Sequence, residues 1–253
     1  MRVLPFSYLE QPDAGGGGGF PSLSGTLVDY WQSNAGLTGT TNVSSWVGQQ
    51  NANDLQYVSS TGPAISGSNG GFNSVDTLTF NGVNTMLAKT FSNLGGSATG
   101  QVYMSLYGAP HGDGAGWGAI FGFTGLASPY TFVENTMRAV STTQIAHFRY
   151  PPGGQTESDD DTYGKGIYTL GVGSGTPGAT FYNKGTTLNS VSPITYSPYQ
   201  SARQGFAIGG YNQDTGGGLH GKVDVAGIVI WTNPTDYAAD ITAIESYFQN
   251  IYG

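Results

Sequence analysis

The chain has 253 residues, 42 of them glycine and none cysteine, and only 9% are charged. This excludes a disulfide framework, a zinc-thiolate site and a cysteine nucleophile, and it favours many short strands joined by tight turns in one large domain. Sixteen acidic against eight basic residues give a formal net charge of −8, which repels phosphate backbones and anionic membranes, so neither nucleic acid nor membrane is an expected partner.

Residues 1–14 read as an extended arm. Val3, Leu4, Phe6, Tyr8 and Leu9 are too apolar to lie free in water and too few to pack on one another. The arm therefore needs a partner: its own domain, as an edge strand, or another subunit, by strand addition or groove docking. Pro5 and Ser7 interrupt the apolar run and no small-residue cleavage site follows, which is not the pattern of a signal peptide. Residues 15–22 open with five consecutive glycines, a flexible tether ahead of a domain over 23–253.

Within that domain, residues 27–31 form the opening strand, Val43 to Trp46 precede a polar segment over 48–56, and residues 75–84 alternate apolar and polar. Strands are predicted over 101–107 and 116–123, joined by a Gly-rich loop, and then over 130–140 and 144–150. A polar loop, 151–162, separates these from a hairpin formed by 166–172 and 179–186. The strand over 205–211 stops at Gly209-Gly210, and Gly216 to Gly218 make a turn. Residues 219–231 read as a central strand, with Val223, Val225, Val229 and Trp231 at a two-residue period and Ile228 and Ile230 on the other face. Asn233-Pro234-Thr235 breaks into a C-terminal helix with Thr235 or Asn233 as N-cap and a stripe of Ile241, Ile244, Tyr247, Phe248 and Ile251.

The order of these pieces resembles the LamG-like domains of the concanavalin A-like lectin/glucanase family. Asp54, Leu55, Phe80, Asn81, Gly82, Val83 and Asn84 match its early motif. Phe206, Ile208, Gly209, Gly210, Leu219, Gly221, Val223, Asp224, Val225, Ile228 and Ile230 match its last strands. The resemblance implies an all-β, two-sheet antiparallel jelly-roll sandwich with one short C-terminal helix, a fold that carries lectins, hydrolases and structural modules alike.

A glycosidase on such a fold needs two carboxylates on one strand face. The i, i+2 acid pairs Glu157/Asp159 and Asp159/Asp161 fall in the polar loop, so no catalytic residues are assigned. His111, His147 and His220 fall in a Gly-rich loop, a strand and a strand edge, with no G-x-S-x-G around any serine. Calcium is the one cofactor left open. Asp159 and Asp161 offer hard oxygen ligands, against the plainer reading of a solvated acidic loop. A sugar site would present aromatic faces beside directional polar groups, and Trp117, Tyr130, Tyr199 and Tyr211 with Asn212 and Asp214 suit it.

Two functions are expected from these features. The first is a non-enzymatic structural phage virion protein, a capsid decoration or head-fibre subunit made in the host cytoplasm. It would be held by its arm to the major capsid protein or another virion partner, and would form a homo-oligomer. The second is a carbohydrate-binding module of a phage tail or adhesin that recognises host surface glycans.

Overall fold

The computed structural model describes residues 19–57, 62–66, 72, 75–90, 101–111, 118–124, 133–139, 145–149, 156–159, 164–173, 179–183, 186–190, 205–211 and 219–253. In chain order the strands are β1 (Thr26–Gln32), β2 (Leu37–Thr38), β3 (Ser45–Val47), β4 (Asp54–Tyr57), β5 (Ala64–Ser66), β6 (Thr77–Asn81) and β7 (Leu87–Thr90). They continue with β8 (Gln101–His111), β9 (Gly118–Thr124), β10 (Val133–Ala139), β11 (Ile145–Arg149), β12 (Thr156–Asp159), β13 (Gly166–Gly173), β14 (Ala179–Asn183) and β15 (Thr186–Ser190). Last come β16 (Gly205–Ile208), β17 (Gly210–Tyr211), β18 (Leu219–His220), β19 (Lys222–Thr232) and the helix α1 (Tyr237–Tyr252).

Two large antiparallel sheets enclose the core. One runs β15-β14-β13-β8-β19-β6-β5, with β1 also paired to β19, and the other runs β12-β11-β10-β9-β16-β7-β4-β3-β2. Phe80, Leu106, Val223, Val225, Ile228 and Ile230 of the first sheet pack against Trp46, Leu55, Leu87, Phe121, Phe206 and Ile208 of the second. β19 is central, as its apolar run implies.

The two faces of β19 do not follow a simple alternation. Its register against β8 shifts between Val225 and Gly227, a bulge that inserts Ala226. Val223 and Val225 therefore share the inter-sheet core with Ile228 and Ile230, whereas Val229 and Trp231 turn to the outer face. On that outer face α1 buries Ile241, Ile244, Phe248 and Tyr252 against an aromatic layer. Tyr103 stacks on Trp231 and Tyr237, and Tyr107 stacks on Phe248 and Tyr252. At Gly227 a Cβ would come 2.3 Å from Phe248 Cε1, so the helix seats against bare backbone there.

The helix starts one residue later than a Thr235 cap would place it, and three later than an Asn233 cap. Asp236 is the N-cap, its carboxylate accepting from Ala239 N, while Asn233 holds a positive φ of 49° in the turn. Asp240 in the first turn accepts from Ser24 N, Ser24 Oγ and Gly25 N, which staples the helix to the start of the domain. Phe20 stacks on Tyr30 and meets Tyr247 edge-on, so packing already begins within the segment read as tether.

Asp29 explains the polar segment after Trp46. It is fully buried and accepts from Tyr30 N, Gln50 N, Asn53 N and Asn53 Nδ2. Trp31 Nε1 donates to Asn53 O and Trp46 Nε1 to Gln32 O. One carboxylate and two indoles thus tie β1 of one sheet to the turn between β3 and β4 of the other.

Candidate functional site

At one end of the sandwich the described strand ends that flank three crossings between the sheets lie side by side. β6 passes to β7 through Asn81 to Met86, β8 leads toward β9 after His111, and β16 returns to β19 through the β17–β18 ribbon. Their closeness is enforced by glycine. A Cβ on Gly118 would lie 2.5 Å from the His220 carbonyl oxygen, and one on Gly209, whose φ is +79°, would lie 2.1 Å from the Phe80 ring.

The Asn81 to Thr85 turn is organised by a single side chain. Asn81 Oδ1 accepts from Val83 N, Asn84 N, Thr85 N and Thr85 Oγ1, and its Nδ2 donates to Asn84 Oδ1. Gly82 supplies the left-handed residue at φ 71°, as expected of the Asn-Gly pair. The result is a rigid loop that holds Val83 out to solvent, 71% exposed.

Behind it sits a charged cluster that the sequence reading did not assemble. Lys222 pairs with Asn81 on one side and His111 on the other, and Asp224 pairs with Thr79 and Ala109. His111 Nε2 lies 2.7 Å from Asp224 Oδ2, and Thr79 Oγ1 donates to Asp224 Oδ1. The Asp224 side chain is 8% exposed and that of His111 42%, so a buried carboxylate orients an imidazole that stays open to solvent. Burial by itself would raise the Asp224 pKa. The hydrogen bonds from His111 and Thr79, with the charges of His111 and Lys222, outweigh it and hold the carboxyl below its ordinary range.

His111 is not in a loop, as its Gly-rich surroundings suggest, but ends the long strand β8, which runs four residues past the predicted boundary. β13 stops pairing at Gly108, so Pro110 falls where β8 has a neighbour on one side alone and a missing N–H is tolerated. The signal that could have exposed the cluster is Asp224 itself. An aspartate between Val223 and Val225 in a central strand must find partners when buried.

Residues 156–159 form β12, an edge strand paired to β11, with Glu157 opposite His147 and Asp159 opposite Ile145. Glu157 and Asp159 therefore occupy alternate positions of a strand, and the ground on which that pair was set aside does not hold. The four-residue segment lacks the apolar alternation that marks a strand, and pairing to β11 supplies what its own sequence does not. Asp161 lies outside the described residues, and among those residues no group of three His, Asp or Glu converges as a cation cage.

Trp117, Tyr130, Tyr199, Asn212 and Asp214 lie outside the described residues, as do Val3, Leu4, Phe6, Tyr8 and Leu9. Tyr211 is the second residue of β17. The described strand ends nearest to them in sequence fall into two groups. In sequence Trp117 precedes Gly118, and Asn212 and Asp214 follow Tyr211; Gly118 and Gly210 lie against His220, at the end that carries His111 and Lys222. Thr124 and Gly205 pair with each other at the opposite end of the sheet, and in sequence Tyr130 comes after the first and Tyr199 before the second.

No family model and no curated protein matches the chain. Solved structures do resemble it. The sialidase of Trypanosoma rangeli in complex with sialic acid matches at a TM-score of 0.60 and 14% identity, over 91% of this chain and 34% of the sialidase. The same organism's enzyme with the inhibitor DANA matches at 0.59 and 16%, over 89% and 33%. The likeness is one of fold. The chain spans about a third of the length of these sialidases. This finding corrects the expectation of a non-enzymatic phage virion protein, and equally that of a phage tail or adhesin module. The structures it resembles are of sialidases, and nothing in the comparisons connects the chain to a phage particle.

Proposed function

We propose that this chain is a saccharide-binding β-sandwich module of a carbohydrate-active protein, built as a LamG-like jelly roll of the concanavalin A-like class. The observation that carries this reading is the side-by-side placement of the strand ends that flank three inter-sheet crossings around the Asn81 to Thr85 turn, His111 and Lys222. Sugar recognition needs a rigid rim with directional donors and acceptors, and apolar faces to stack on the ring. Asn84, Lys222 and His111 offer the polar partners and Val83 an exposed apolar tip, with Trp117 next to Gly118 in sequence and Tyr211 next to Gly210. The fold shared with sialidases that hold sialic acid supports testing acidic as well as neutral sugars.

The test is a glycan array followed by titration calorimetry with the best ligand and with sialic acid. Trp117→Ala and Tyr211→Ala should abolish binding without unfolding the domain, while Tyr130→Ala and Tyr199→Ala should retain it. Absence of saccharide binding, or loss through the second pair of variants alone, would overturn the assignment. The bound ligand is recovered and checked for cleavage, since Glu157 and Asp159 sit at alternate positions of β12. Hydrolysis lost in Glu157→Gln would replace a binding module with an enzyme.

A further inference from the structure

His220 has no part in the binding just described, yet it sits beneath the β17–β18 ribbon in an unusual way. Its ring lies close against Gly210 with Nδ1 nearest: a Cβ there would come 2.3 Å from Nδ1 and 3.0 Å from Cγ. Nδ1 is buried and has no hydrogen-bond partner, while the ring hydrogen-bonds to the backbone of Gly209 and Thr85. The neutral imidazole is therefore accommodated: one N–H is satisfied and one bare lone pair faces backbone. A second proton would sit on Nδ1, a buried atom that has no hydrogen-bond partner.

We propose that His220 is a pH-sensitive latch that holds the β17–β18 ribbon closed when neutral and releases it when protonated. The ribbon is short, two residues on each side, and Gly210 pairs directly with His220. Two hydrogen bonds clamp it to the rest of the fold: Gly209 N to Ile120 O at 2.7 Å and Gly221 N to Gly209 O at 3.1 Å. Both flank the imidazole, so a ring that must turn out to reach water breaks them first. Among the described residues the ionisable groups near it are Lys222, two positions on, and His111 and Asp224 beyond it, while Gly118 of β9 and Thr85 of the turn carry no charge. Asp224 is engaged by His111 and Thr79. Burial lowers the His220 pKa, and the hydrogen bonds to Gly209 and Thr85 offset this in part. The sign follows: a folded-state pKa below the ordinary 6.5 means that stability is lost as pH falls through 6.5 toward the folded value.

The consequence is an end of the sandwich that is ordered at neutral pH and opens locally in mild acid. The latch concerns the ribbon and stands whether or not a sugar binds there. It is tested on the whole chain by NMR, following the His220 ring protons from pH 8 to pH 4.5 together with amide exchange, corrected for intrinsic pH dependence. We expect His220 to titrate below the ordinary imidazole value, and protection at Gly209 and Gly221 to fall at least about tenfold in step with it while amides of β19 beneath α1 keep theirs. His220→Gln should retain or lose the ribbon independently of pH. Titration at or above the ordinary value, protection unchanged through the titration, or the same pH profile in His220→Gln would each overturn the proposal. If His220→Gln does not fold, the wild-type titration decides alone.

Discussion

Asp29, Asp224 and Asp240 are all buried carboxylates, and what separates them is who donates to them. Asp29 is held by backbone and amide donors of one turn, so it shapes a loop, and Asp240 is held by Ser24 and Gly25, so it docks a helix. Asp224 is held by an imidazole with an open face. Asp29→Ala strands four donors and should cost at least about 3 kcal/mol in urea unfolding, and a loss below about 1 kcal/mol would contradict its role. His111→Ala removes the first donor to Asp224, so the carboxyl should titrate higher. Because the folded pKa of Asp224 is depressed, its contribution is present above the ordinary 3.8 and is lost as pH falls through the lower folded value. The variant's acid unfolding midpoint should therefore shift to higher pH, and an unchanged midpoint would remove the pair from the account. The sequence displays Asp224 as a polar residue in an apolar strand, but its partner lies 113 positions away, and only strand pairing brings the two together.

Local pattern reads the elements well where burial is one-sided and poorly where backbone irregularity intervenes. The helix stripe was legible because Ile241, Ile244 and Phe248 recur at helical spacing against a flat aromatic layer. The faces of β19 were not, because a one-residue bulge at Ala226 reverses every side chain after it. Gly227→Ala should push against the Phe248 ring and destabilise the domain by about 1 to 3 kcal/mol, read as a lowered Tm, and a neutral effect would mean that the helix seats elsewhere. The same layer makes an alkaline prediction. Burial, with Tyr237 adding to it, pushes Tyr103 up to about 12 from an ordinary 10. Its folded-state pKa is raised, so stability is intact below pH 10 and falls as pH climbs toward 12. Tyr103→Phe should make that decline shallower, and an identical decline would exclude Tyr103 as its source.

At the scale of the whole chain, the order of family-like pieces anticipated two antiparallel sheets and a closing helix, because each piece carries its own turn chemistry and alternation. Function was less legible, since missing motifs and a missing export signal are negative features that many chains on this fold share. What the sequence could not display is which loops meet. Trp117, Tyr211 and Asn212 are scattered over nearly a hundred positions, and only the pairing of β17 with β18 and the crossings from β6 and β8 place their neighbours at one end. The central claim is therefore spatial, and backbone amide chemical-shift mapping with the best array ligand tests it most directly. Shifts should concentrate at Gly82 to Thr85, His111, Gly118, Gly209 to Tyr211 and Leu219 to Lys222. A pattern centred on Thr90, Thr124 and Gly205, or no shift at saturating ligand, would contradict the account.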